Sequence, residues 1–189
     1  PGRFPVLLQR TPYDRTGAMS RYAMIDAVRA AINGYASVIE DVRGRYASEG
    51  EFHTFVNEID DGYDSVEWVA SQSWCNGKVG MFGGSYVGAT QWLAASAVPP
   101  SLTGIAPGIT ASDYHEGWTY QGGAFELTFN LGWALGKTVG NWENLVRNFS
   151  FSDDVVEKLR DSTDNMNAAL EHLPMKDWPD LKGDLAPYY

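Results

Sequence analysis

The stretch Gly80-Met81-Phe82-Gly83-Gly84-Ser85-Tyr86-Val87-Gly88 constrains this chain more than any other: an apolar strand runs into a glycine pair, a serine and an apolar helix. A serine on a tight strand-to-helix turn is held in strained geometry with its hydroxyl exposed. Glycines beside it let strand and helix pass closely, which is the layout of a nucleophile elbow. The helix beginning at Tyr86 aims its N-terminal amides at the space before Ser85, where they suit a developing negative charge. The general signature puts glycine two residues after the serine; here Val87 holds that position and the glycine follows at Gly88. On the pattern alone, an ordinary glycine-containing turn is the competing reading.

The segments before the elbow alternate in type. Residues 4 to 9 form an apolar run that suits a buried strand, closed by the loop Arg10-Thr11-Pro12-Tyr13-Asp14. Met24, Ala27, Val28 and Ala31 recur at helical spacing between Ser20 and Ile32, and Asn33-Gly34 supplies a stop. A strand at 35–39 leads into a polar loop, 40–45, expected at the same sheet edge as Tyr13. Ile59, Tyr63, Val66, Val69 and Ala70 mark a second helix, whose first turn carries Glu58, Asp60 and Asp61. Acids there complement the macrodipole, a plainer reading than a metal cluster. Strand 78–82, helix 86–97 and strand 102–106 follow. The order strand, helix, strand, helix, strand, helix, strand predicts a mostly parallel sheet with helices on both faces.

After Pro107 the composition shifts. Aromatic residues interleave with glycines over residues 112–148, no further strand is evident, and 152–173 reads as partly amphipathic helix. The expected division is therefore a core, 1–111, followed by a helical cap inserted at 112–189 that continues past the last residue. Gly136-Lys137-Thr138 mimics the end of a phosphate-binding loop, but the glycine required five positions earlier is Leu131, so a surface turn is expected. Asn148-Phe149-Ser150 is a glycosylation triplet with force only in a secreted protein.

Charge and cysteine count narrow the function classes. Lys and Arg total 14 against 24 Asp and Glu, a net charge of −10, which opposes nonspecific binding to nucleic acid or anionic lipid. No segment has the roughly 18 to 20 apolar residues of a membrane span. Cys75, the single cysteine, excludes an internal disulfide and suits a reducing compartment, so a cytoplasmic location is expected. The chain opens at Pro1 without an initiator methionine, and an upstream segment is expected.

Six segments carry a likeness in order along the chain: Arg10-Thr11-Pro12-Tyr13-Asp14, Asp41-Val42-Arg43-Gly44, Ser48-Glu49-Gly50-Glu51-Phe52, Trp74-Cys75-Asn76-Gly77, Gly83-Gly84-Ser85-Tyr86-Val87-Gly88 and Gly122-Gly123-Ala124-Phe125. Together they resemble the X-Pro dipeptidyl-peptidase and cocaine-esterase family of α/β-hydrolases, where the elbow is written G-x-S-Y-x-G. The resemblance implies a partial α/β-hydrolase core with a helical cap. It implies Ser85 as nucleophile, with the Tyr86 N–H and the Tyr13 hydroxyl as oxyanion donors, and Trp118 and Trp133 as acyl-pocket residues. A tyrosine behind Pro12, on a first-strand loop that lacks a His-Gly-Gly motif, agrees with the Tyr13 role.

A serine nucleophile also needs a base and an acid, which in α/β-hydrolases follow it in the order serine, acid, histidine. His53 precedes Ser85, and His115 and His172 fall in the expected cap. The chain is therefore expected to be a fragment whose acid and histidine lie beyond it. The function expected is acyl-enzyme hydrolysis of a small ester or amide, with an acyl esterase favoured and no metal or cofactor required. X-Pro dipeptidyl-peptidase and amino-acid-ester or β-lactam acylase activities are alternatives. A noncatalytic domain binding an apolar ligand or partner through the cap is the alternative of another class, and a homo-oligomer is compatible with the sequence.

Overall fold

A computed structural model describes residues 2–17, 20, 24–139 and 153–172. The chain divides into two compact units, Pro1–Ser112 and Asp113–Tyr189. In the first, strands β1 (Phe4–Thr11), β2 (Ala36–Asp41), β3 (Cys75–Gly84) and β4 (Leu102–Gly108) form one sheet, ordered β2-β1-β3-β4. All three pairings are parallel. Helices α1 (Ala27–Ile32), α2 (Glu58–Ser71) and α3 (Tyr86–Ser96) make the crossovers.

Strand alternation decides what each face buries. Val6 and Leu8 of β1, with Cys75, Val79 and Met81 of β3, pack against Val66 and Val69 of α2 and Ala94 of α3. Leu7 points the other way, toward Ala30 of α1. Helix α1 is capped by Asp26, whose carboxylate accepts from the Arg29 N–H at 2.8 Å; Ser20, where the apolar spacing began the helix, is itself helical, but residues 24–26 interrupt the expected run, and residues 18, 19 and 21–23 lie outside the described set. Its Val28 and Ile32 are exposed, so the periodic residues are not all core.

The second unit departs from expectation in two places. A short antiparallel hairpin, β5 (Tyr120–Gln121) and β6 (Ala124–Phe125), appears where no strand was expected. Its turn is Gly122-Gly123, both at positive φ, which matches the twist of a two-residue hairpin loop. The strands are too short to leave an alternating pattern. Lys137 and Thr138, expected in a surface turn, belong instead to helix α4 (Leu127–Val139), and helices α5 (Asp153–Asp164) and α6 (Met166–Glu171) follow. Trp142 and the Asn148 triplet lie outside the described residues. Among the described residues no helix is long and apolar enough to cross a membrane.

Candidate active site

Strand β3 ends at Gly84, and Ser85 follows at φ 61°, ψ −131°. A non-glycine residue in that region is strained and persists only where its surroundings hold it. Here the Ser85 N–H donates to the carbonyls of Gly108 (2.9 Å) and Ile109 (3.1 Å) at the end of β4. The Ser85 carbonyl in turn accepts from the N–H groups of Gly88 and Ala89, which starts α3.

Glycine placement around the elbow follows from contact. Gly83 sits at φ 136°, and a Cβ there would stand 2.2 Å from Val87 Cγ1. Val87 can therefore occupy the position where the general signature has glycine because Gly83 makes room for it. A Cβ on Gly88 would lie 2.6 Å from Thr110 Cγ2 and 3.1 Å from the Gly108 carbonyl oxygen. The displaced glycine is thus the point where α3 crosses the end of β4. Buried Gln91, one turn further on, ties these parts together: Nε2 donates to the carbonyls of Gly83 (3.0 Å) and Val87 (2.9 Å), and Oε1 accepts from the Ala106 N–H (2.9 Å).

Tyr13 arrives from the neighbouring strand. Its hydroxyl lies 3.1 Å from Ser85 Oγ, within hydrogen-bond distance across 72 residues of sequence. The loop that carries it is fixed at several points to the segment after β2. Val42 N–H donates to the Thr11 carbonyl (3.0 Å), Arg15 N–H to Asp41 Oδ1 (2.7 Å), and Arg45 Nε to the Pro12 carbonyl (3.1 Å). Arg45 is buried, its guanidinium 5.2 Å from the Phe52 ring and 5.3 Å from the Tyr46 ring, in the range of cation–π attraction. The loops after β1 and β2 do share one sheet edge, as expected.

A cavity of about 360 Å³ opens beside these groups, lined by the polar Tyr13, Ser85, Gln9 and Thr11 and by the apolar Met24 and Ile109. That volume falls within the range of small-molecule sites. Ile109 is 86 % exposed and at φ 48°, an unusual conformation for a β-branched residue.

Behind the elbow lies a buried charge cluster that the sequence reading missed. Arg10, 1 % exposed, contacts Glu58 Oε2 at 2.8 Å, Glu40 Oε1 at 2.5 Å and Asp61 Oδ2 at 3.9 Å. The Tyr86 hydroxyl donates to Glu58 Oε1 (3.0 Å) and accepts from the Phe55 N–H (2.9 Å). Burial pushes the Glu58 carboxyl up, against the pull of Arg10 and the Tyr86 hydroxyl. Burial, with the adjacent Glu58 charge, raises the Tyr86 phenol well above its usual value, so it remains a neutral donor. For Arg10 burial works against the charge, but three carboxylates outweigh it and the net direction is up. Glu58 is therefore more than a macrodipole acid. A signal existed: Glu58, Gly62, Val66 and Val69, all buried, share one helical face.

The three histidines stand elsewhere. His53 Nε2 lies 3.3 Å from Glu51 Oε2, His115 stacks on Tyr120 with centroids 4.7 Å apart, and His172 is exposed. Among the described residues, the side-chain hydrogen-bond partner of Ser85 Oγ is Tyr13. Trp118 and Trp133 belong to the second unit. There Trp118 meets Tyr114 and Phe129 edge-on at 5.7 and 5.3 Å, and Trp133 is half-buried on α4. Asp113 Oδ1 accepts from the His115 and Glu116 N–H groups.

A parallel sheet whose third strand delivers a strained serine to the head of a helix is the core of the α/β-hydrolase fold, present here in part. Residues 1–180 match the family described as X-Pro dipeptidyl-peptidase (S15 family), and the chain belongs to that family, as the motif resemblance implied. Over 138 residues the chain is 43% identical to the cocaine esterase of Rhodococcus sp. (strain MB1 Bresler), covering 70% of this chain and 24% of that protein. A CocE/NonD family hydrolase from Staphylococcus aureus superposes with a TM-score of 0.69 at 27% identity, covering 76% of this chain and 29% of that one. An aminopeptidase from a marine sediment Thaumarchaeota archaeon superposes at 0.59 and 26% identity, covering 72% and 26%. The chain thus spans about a quarter of the length of these relatives.

Proposed function

We propose that this chain carries the nucleophile and oxyanion hole of a serine hydrolase that cleaves a small ester or amide through an acyl-enzyme. The observation that carries the reading is the 3.1 Å approach of the Tyr13 hydroxyl to Ser85 Oγ at a strained elbow. Ser85 Oγ attacks the substrate carbonyl carbon, and its proton passes to a histidine outside the described residues. The carbonyl oxygen becomes an oxyanion held by the Tyr13 hydroxyl and the Tyr86 N–H. Collapse expels the alcohol or amine, which takes the proton from the histidine. Water activated by the same base then releases the acid. The acyl-pocket roles of Trp118 and Trp133 rest on the family resemblance alone.

Ester cleavage is favoured over aminopeptidase or X-Pro dipeptidase action. Those reactions call for a carboxylate that holds a substrate ammonium, and Asp113 and Glu116 are engaged in local turns, Glu116 Oε1 accepting from the Gly122 N–H at 3.0 Å. The cocaine esterase relative supports the same choice. A fluorophosphonate probe on the full-length protein tests the reading. Labelling is expected to be abolished in Ser85→Ala, with hydrolysis of p-nitrophenyl acyl esters falling at least about a thousandfold. A folded protein that is not labelled overturns it in favour of the noncatalytic alternative.

A further inference from the structure

We infer that Glu58 and the Tyr86 side chain are positioning residues for the oxyanion hole, locking the peptide that follows the nucleophile onto the buried Arg10 cluster. The inference rests on the hydrolase reading above. The residue whose N–H is assigned to the oxyanion is the same residue whose hydroxyl, at the far end of a rigid side chain, donates to Glu58 at 3.0 Å. That hydroxyl also accepts from the Phe55 N–H, and the ring stacks on Phe55 with centroids 4.7 Å apart. Phe55 itself is held at φ 66°. Tyr86 is therefore fixed by ring, donor and acceptor at once. A tyrosine needs this much apparatus in a buried site only if its orientation is consequential, because a phenylalanine would fill the same volume without a polar group to satisfy.

The cluster reaches the other half of the hole as well. Arg10, which anchors Glu58, lies three residues before Tyr13 on β1, and its carbonyl accepts from the Thr90 hydroxyl of α3 at 3.3 Å. Arg10 thus joins β1 to the start of α2 through its guanidinium and to α3 through its carbonyl. Preorganised donors act without rearranging as charge develops, so loosening the Tyr86 peptide weakens transition-state binding while leaving substrate binding unchanged.

The test is steady-state hydrolysis of a p-nitrophenyl acyl ester by the full-length protein and its Tyr86→Phe, Glu58→Ala and Glu58→Gln variants, each normalised to folded protein by thermal unfolding. Tyr86→Phe is expected to lower kcat by about 10- to 100-fold with KM within about twofold of wild type. Glu58→Gln, which keeps an oxygen acceptor for the Tyr86 hydroxyl, is expected to recover most of the activity lost in Glu58→Ala. Wild-type kcat in Tyr86→Phe overturns the inference. So does a loss that tracks unfolding, or equal loss in the two Glu58 variants. Wild-type turnover that Ser85→Ala leaves unchanged removes the hydrolase reading and this inference together, whereas Ser85-dependent turnover that Tyr86→Phe leaves intact removes this inference alone.

Discussion

Tyr13 shows how much one hydroxyl can carry. The loop that carries it is tied down at Thr11, Pro12 and Arg15, so Tyr13→Phe should leave the loop intact and remove the proposed oxyanion donor. Loss of such a donor lowers kcat by about 100- to 1,000-fold. The expected outcome is a fall of that size in p-nitrophenyl ester turnover with an unchanged melting temperature, and retention of full activity would contradict the role. The sequence singles out Ser85 and Tyr13, which the structure brings within 3.1 Å, through their neighbours: glycines that relieve a turn, a proline that stiffens a loop. Glu58 was misjudged for the opposite reason. Its partners, Arg10 and Tyr86, lie 48 and 28 residues away, and no local spacing encodes either contact.

Among the elements, α3 depends most on a residue with no part in the chemistry. Gln91 is fully buried and makes its three bonds to the carbonyls of Gly83 and Val87 and the N–H of Ala106. Gln91→Leu would remove the amide donor from the buried Gly83 carbonyl, a loss of about 1–3 kcal/mol for one buried polar group. Denaturant unfolding should report a loss in that range. The four strands and the helices between them were legible because apolar runs and turn residues alternate cleanly. The hairpin of the second unit was not, since two-residue strands give no period, and the break at residues 24–26 before α1 was not, because apolar spacing does not reveal where a cap such as Asp26 starts a new helix.

Across the molecule, the Arg10 cluster links folding to pH. Burial raises the Glu58 carboxyl above its ordinary value of 4.5, so between that value and the raised one the folded chain binds a proton that the unfolded chain has released. Stability therefore falls as pH rises through that window, the reverse of the usual salt-bridged carboxylate. Glu58→Gln removes this titration. Unfolding free energies measured across the window should show wild type losing ground to the variant as pH rises, and a difference that is flat or of opposite slope would contradict the assignment.

The sheet order has a consequence for how the site comes into being. Tyr13 follows β1 and Ser85 follows β3, and these strands are parallel neighbours paired at Val6 with Val79 and Leu8 with Met81. Parallel neighbours end at the same edge, which is why two hydroxyls so distant in sequence meet. Such pairings close large loops and form slowly relative to local structure. The elbow is held by the end of β4, whereas its contact with Tyr13 waits on β1, so the two hydroxyls meet only when β1 and β3 have paired.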